Sequence, residues 1–201
     1  MKKNQLVSTL ALISIILLAG CKSKTIERTA VGEQIDLSGR WNDSDSQLVS
    51  RAIIADIAKR PWIEVYTTEN GKKPVVIVGT IRNKSSEHIE TETFTKDLER
   101  ELINNGRVKF VANQVERNEL RQERQDQQSW STEETQKRLA AETGADYMLQ
   151  GSINTIIDKE GKQTVMFYQV DLEMIHLETN EKVWMGGEKI KKLITQRSTK
   201  W

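Results

Sequence analysis

Cysteine is almost missing from this chain: of 201 residues only Cys21 carries a thiol. One thiol cannot close an internal disulfide, so stability has to come from a packed core, and a cysteine-rich metal site is excluded. Histidine is scarce as well, with His88 and His176 alone. His88 stands in "SEHIE", which lacks the second histidine of a helical zinc motif. Serines and aspartates are plentiful, but none sits in the glycine-framed elbow of a nucleophilic triad. Gly186-Gly187 has no Lys-Ser/Thr pair opening a helix behind it, so it is not a phosphate loop. A bulge or a close backbone approach is expected there instead. No metal, no cofactor and no catalytic constellation is expected, and the chain reads as a non-enzyme. After the first twenty residues there is no second long apolar run, no internal repeat and no low-complexity block beyond one polar charged helix. An excess of one charge is missing too. The formal net charge of +1 becomes −1 once Lys2 and Lys3 are set aside with the leader, and nothing in that balance suggests nucleic acid or an acidic lipid surface as partner.

What is present begins with that leader. Lys2 and Lys3 precede an apolar run from Leu6 to Ala19 that is broken only by Ser8, Thr9 and Ser14. This is the layout of a secretory signal peptide, and the run is short for a membrane-spanning helix. Leu18-Ala19-Gly20-Cys21 supplies small residues before a cut and resembles the lipobox of bacterial lipoproteins. In that reading the Cys21 sulfur carries a diacylglycerol and its freed amine a further chain, and more than one acyl chain is what makes anchoring stable. An ordinary secreted protein with a stray cysteine, or a cysteine nucleophile, would not explain its position at the end of the apolar run. Lys22 follows, where an aspartate would resemble an inner-membrane retention signal. The expected address is therefore the outer membrane, lipid-anchored and facing the periplasm. The expected organisation is a signal peptide over 1–20, a lipidated flexible tether over 21–37 and one globular domain over 38–201.

Within that domain the hydrophobic period changes repeatedly. In "GRWNDSDSQLVSRAIIADIAKRPW", Asp43 or Ser44 can cap a helix with Leu48, Ile53, Ile54 and Ile57 at helical spacing, and Pro61 stops it. An irregular stretch with a turn at Asn70-Gly71 follows. "PVVIVGTI" is a continuous β-branched run, the mark of a strand buried on both faces. A loop then leads to a helix over about 91–105 with Phe94, Leu98, Leu102 and Ile103 as its stripe and Gly106 as a left-handed cap. "RVKFVA" is a short strand. Residues 113–128 have helix-forming composition without an apolar stripe: a solvated helix held by charge pairs, or a partner-binding face. Thr132 begins a further helix that ends at Gly144. Three strands joined by "KEGK" and "TNEK" then form an antiparallel meander. The class is α+β, with a mixed, mostly antiparallel sheet of about five strands and flanking helices.

Two features suggest a contact surface. Five tryptophans are many for so polar a chain, and Trp41, Trp62 and Trp130 fall in expected loops or helix edges, where tryptophan serves either as an interface anchor or as cover for the core. The loop "RNKSSEH" lies at the carboxyl end of the central strand, where open α/β sheets place ligand contacts. Asn83, Lys84, Ser85, Ser86 and Trp130 are accordingly the candidate partner-binding residues.

"GRWNDSDSQLV", "VVIVGTIRNKSSEHIE", "LINNGRVKFV", "ETGADYMLQGSI" and "YQVDLEMIHLETNEKVW" follow in this order. Together with the lipobox they resemble the LpoB family of outer-membrane lipoproteins that activate class A penicillin-binding proteins. The likeness covers most of residues 38–190. It implies a small α+β domain similar to the amino-terminal domain of TolB, with no catalytic residues, acting as a monomer that docks on a peptidoglycan synthase and regulates wall synthesis. The chain departs from enterobacterial members in its tether, which is short and contains no proline. An alternative is an envelope-assembly lipoprotein such as a CsgG-like secretion-channel subunit, which would need an added membrane-spanning hairpin.

Overall fold

The structure is a computed structural model and describes residues 26–30, 32–129 and 144–196. Chain contacts divide it into a unit over 1–33 and a folded unit from Gln34 onward. The elements of the folded unit are α1 (Asp43–Lys59), α2 (Trp62–Asn70), β1 (Val75–Asn83), α3 (Thr91–Asn105), β2 (Lys109–Phe110), α4 (Gln114–Ser129), β3 (Tyr147–Glu160), β4 (Gln163–His176) and β5 (Lys182–Thr195). The sheet order is β2-β1-β3-β4-β5. β1 pairs in parallel with β2 and β3, while β3, β4 and β5 form the antiparallel meander. The class is α+β, as expected.

The cap of α1 is Asn42, one residue before the nearer candidate, Asp43. The Asn42 side chain accepts from the Asp45 amide while the Asp45 carboxylate accepts from the Asn42 amide, a reciprocal capping box. Ile53, Ile54 and Ile57 face inward as expected, but Leu48 is 55% exposed and Val49 takes its place in the stripe. Pro61 ends α1 but also starts α2, a helix absent from the sequence reading. Proline lacks only a donor that the first helical turn leaves unused. α2 buries Trp62, Ile63 and Tyr66 and stops at Gly71, whose φ of 64° is the left-handed cap.

β1 is the axis of the fold. Val75, Val76, Ile77 and Val78 are buried in succession, as a strand covered on both faces requires. α3 lies against it through Phe94, Leu98 and Leu102, whereas Ile103 is 54% exposed and does not join that stripe. α1 and α3 are bound by a buried hydrogen bond from the Ser46 hydroxyl to Asp97 at 2.6 Å. α4 is tied at its start by Glu116, which meets Lys96 of α3 at 2.6 Å, and exposes Val115 and Leu120. The expected helix from Thr132 lies outside the described residues. Among those described, no helix is long and apolar enough to cross a membrane.

Gly186-Gly187 is a close approach. A Cβ on Gly187 would run into the Val170 carbonyl oxygen, and one on Gly151 into that of Asp171. The two glycines flank Asp171 and Leu172 of β4 from either side and let the three strands curl tightly. The register shift between β4 and β5 falls nearby, at Met174 and Ile175.

Candidate partner-binding face

β1 ends at Asn83, and the loop behind it is knotted by its own polar groups. The Asn83 carboxamide oxygen accepts from the Ser85 amide at 2.9 Å and the Ser85 hydroxyl at 2.6 Å, and its nitrogen donates to the Glu87 carbonyl at 2.7 Å. The Lys84 amide extends the parallel ladder to the Ile153 carbonyl at 2.9 Å, and the Ser86 amide donates to the Thr155 hydroxyl at 3.3 Å. The structure thus brings Asn83, Lys84, Ser85 and Ser86 together. Asn83 and Ser85 spend their polar groups on each other and on the Glu87 backbone, which leaves the exposed Lys84 and Ser86 facing out. Trp130 and Cys21 lie outside the described residues.

Beneath the loop sits a carboxylate that sequence reasoning missed. Glu87 Oε2 accepts the Tyr168 hydroxyl at 2.9 Å and the Trp41 amide at 3.3 Å. Tyr168 is fully buried. Burial first, and then the Glu87 carboxylate, hold its phenol neutral far above the usual tyrosine range. The Trp41 ring stands edge-on to Phe94 and Tyr168 at 5.9 and 5.6 Å. Trp41, Trp62 and Trp184 all pack on or in the core, so their bulk serves packing before contact.

The sheet face turned away from α1 and α3 carries the loop's continuation. Arg82, Ser152, Asp171 and Gly187 share one row across four strands. A shallow depression of about 200 Å³ is lined by Arg82, Lys84, Gln150, Ser152, Asp171 and Glu173, with Met185 at its edge. Glu173 is fixed by Lys182 at 2.6 Å and Gln150 at 2.9 Å, and these two donors, Lys182 foremost, draw its pKa below the ordinary glutamate value. The depression brings the cations Arg82 and Lys84 together with the carboxylates Asp171 and Glu173 in a surface of mixed charge.

A larger cleft of about 1310 Å³ opens at the opposite end of the sheet, between α2 and the β4–β5 turn. Trp62, Tyr66 and His176 cluster around Tyr147 with ring separations of 4.9 to 5.6 Å. Burial and a hydrogen bond to Asp146 push the Tyr66 pKa up to about 12. The Nδ1 atom of His176 accepts the Glu178 and Thr179 amides at 3.3 Å each, so it is occupied in holding the turn. Among the described residues no three His, Cys, Asp or Glu side chains gather as metal ligands.

Fold and face together define a small α+β module that presents a polar face, with no converged reaction centre among its described residues. Residues 45–190 match the family described as peptidoglycan-synthase activator LpoB. The chain belongs to that family. The LpoB C-terminal domain from Salmonella enterica is similar in structure at 18% identity, with 74% of this chain and 99% of that one covered and a TM-score of 0.43. The NMR structure of E. coli LpoB shows 14% identity, covers 89% of this chain and 84% of that one, and gives a TM-score of 0.41. No curated protein sequence matches the chain.

Proposed function

We propose that this chain is an outer-membrane lipoprotein, acylated at Cys21, whose monomeric domain binds a class A penicillin-binding protein and raises its glycosyltransferase and transpeptidase rates without chemistry of its own. The observation that carries the reading is the family match over residues 45–190. A signal peptide over 1–20, a tether from 21 onward and the domain after it would place the module in the periplasm. An anchor in one membrane and a partner rooted in the other confine the encounter to openings in the wall. A binder accelerates its partner only by preferring the partner's more active state, so activation is a population shift. The proposed contact surface is the loop from Asn83 to Ser86, continued by Arg82 and the adjacent depression, with Trp130 as a further contact.

Mixing the purified domain with each class A synthase of the host, and following lipid II consumption, tests the function. Faster consumption with at least one synthase is expected, and a loss of that gain in Lys84→Glu. No binding and no rate change with every synthase would sink it. Anchoring is tested separately: labelled palmitate should enter the wild type and not Cys21→Ala.

A further inference from the structure

The meander is longer than the core it covers. β3, β4 and β5 each run 14 residues, about 46 Å at the usual rise per residue. Ile153 is the last fully buried residue of β3, and from Ile156 to Gln163 every residue is exposed. On the face away from α1 and α3 the register sets Ile156 beside Phe167 and Val165 beside Leu193. Ile156 and Leu193 are each 66% exposed. Lys189 and Lys191 border this apolar cluster on β5, and Lys162 lies in the hairpin turn. None of these three lysines forms an ion pair with a described residue. Asp158 and Glu160 are the acidic residues at the same end.

The folded unit starts beside this projection. Asp36 is bound to Lys192 at 2.6 Å, and Lys192 pairs with Met166, three residues from the hairpin end. That is about 10 Å along the strand. Twelve residues, 22–33, separate Cys21 from the unit, a span of at most about 40 Å when fully extended.

We propose that the β3–β4 hairpin end and the adjoining part of β5 form a membrane-contacting foot, which rests on an anionic lipid surface with Ile156, Phe167 and Leu193 toward the acyl boundary and the lysines on the headgroups. The inference rests on the anchor reading for its setting. A short chain that leaves the domain next to a projecting apolar and lysine-bordered end holds that end within reach of the bilayer. Apolar burial and lysine–headgroup attraction act together in such contacts, and each alone is weak. Standing on this foot, the domain would turn the aromatic cleft, at the other end of the same strands, away from the lipid.

The test uses the chain from Lys22 onward, which lacks the anchor residue and contains the whole folded unit. It is sedimented with vesicles of phosphatidylethanolamine and phosphatidylglycerol, and with vesicles of phosphatidylcholine alone. Binding to the anionic vesicles is expected. It should fall about tenfold in Ile156→Ser/Leu193→Ser and severalfold in Lys189→Gln/Lys191→Gln or at high salt. All four positions are exposed, so unchanged melting curves will show that the variants fold. Absence of anionic binding, or binding indifferent to these substitutions, overturns the foot. Self-association abolished by Ile156→Ser/Leu193→Ser, in place of vesicle binding, also overturns it and gives the face to a second copy. Because no acyl chain is present, palmitate labelling and vesicle binding fail independently.

Discussion

Tyr168→Phe removes one oxygen and keeps the ring. The hydroxyl donates at 2.9 Å to a carboxylate oxygen of Glu87, whose other oxygen is buried without a partner. A hydrogen bond to a charged group contributes about 1.5–3 kcal/mol. The Trp41 amide still reaches Glu87 at 3.3 Å and softens the loss, so we expect a destabilisation of about 2 kcal/mol. For a folded unit of this size that is a fall in Tm of about 4–8 °C. Urea unfolding should show a lower midpoint at unchanged slope, since no compactness is altered. The same substitution in a Glu87→Ala background should cost much less, with a coupling energy of at least about 1 kcal/mol in the double-mutant cycle. Hydrogen exchange should also quicken at the amides of Ser85, Ser86 and Glu87. A coupling near zero, or a midpoint that does not move, would refute the claim that Tyr168 and Glu87 hold the loop.

Three further outcomes are expected. Lys192→Met strips the ammonium that lies 2.6 Å from both Asp36 and Asp45 and leaves Asp45, with a side chain only 3% exposed, unpaired. A loss of about 3 kcal/mol is expected in urea unfolding, largely recovered in Lys192→Met/Asp45→Asn. All three tyrosines are held above the ordinary value, each chiefly by burial. A raised folded pKa gives stability that is complete below the unfolded value of about 10 and is lost as pH rises past it. Ultraviolet titration should therefore show tyrosinate appearing together with alkaline unfolding, and a phenol ionising near 10 in the native protein would contradict the buried sites. Ile77→Ala empties a buried position on β1 and should cost about 2–4 kcal/mol, read from the shift in urea midpoint.

What was legible in the sequence followed from local chemistry. "VVIV" announced β1 because a short β-branched run bounded by turn signals suits a strand covered on both faces, and all four residues are buried. Gly106 ended α3 as expected because its φ of 70° suits a residue without a Cβ. α2 was lost because Pro61 looked like a stop, while the same ring geometry also opens a helix. Leu48 and Ile103 were misplaced for a different reason. Each lies next to the buried stripe in sequence, and only the packing of α1 against α3 decides which neighbour faces in. The loop Asn83–Ser86 could be found from its position behind a buried strand. The carboxylate beneath it could not, because Glu87 meets a tyrosine 81 residues away. The aromatic cleft was equally hidden, since Trp62, Tyr147 and His176 converge from three distant segments.

Glu87 joins two parts of the molecule that the proposed mechanism needs. The strap from Gln34 to Trp41 precedes α1 at the start of the folded unit. Its end is fixed to the Glu87 carboxylate by the Trp41 amide, while the Glu87 carbonyl receives the Asn83 side chain. The exposed loop therefore does not have to be ordered when a partner arrives. Immobilising a free side chain at an interface costs about 0.5–1.5 kcal/mol, so a loop of four residues ordered in advance spares a docking event several kcal/mol. A non-enzymatic activator has only its binding free energy with which to bias its partner's states, and what is not spent on ordering remains for that bias. Weakening the node at Glu87 should then lower activation more than it lowers the fold's stability, because the loop loosens before the core opens.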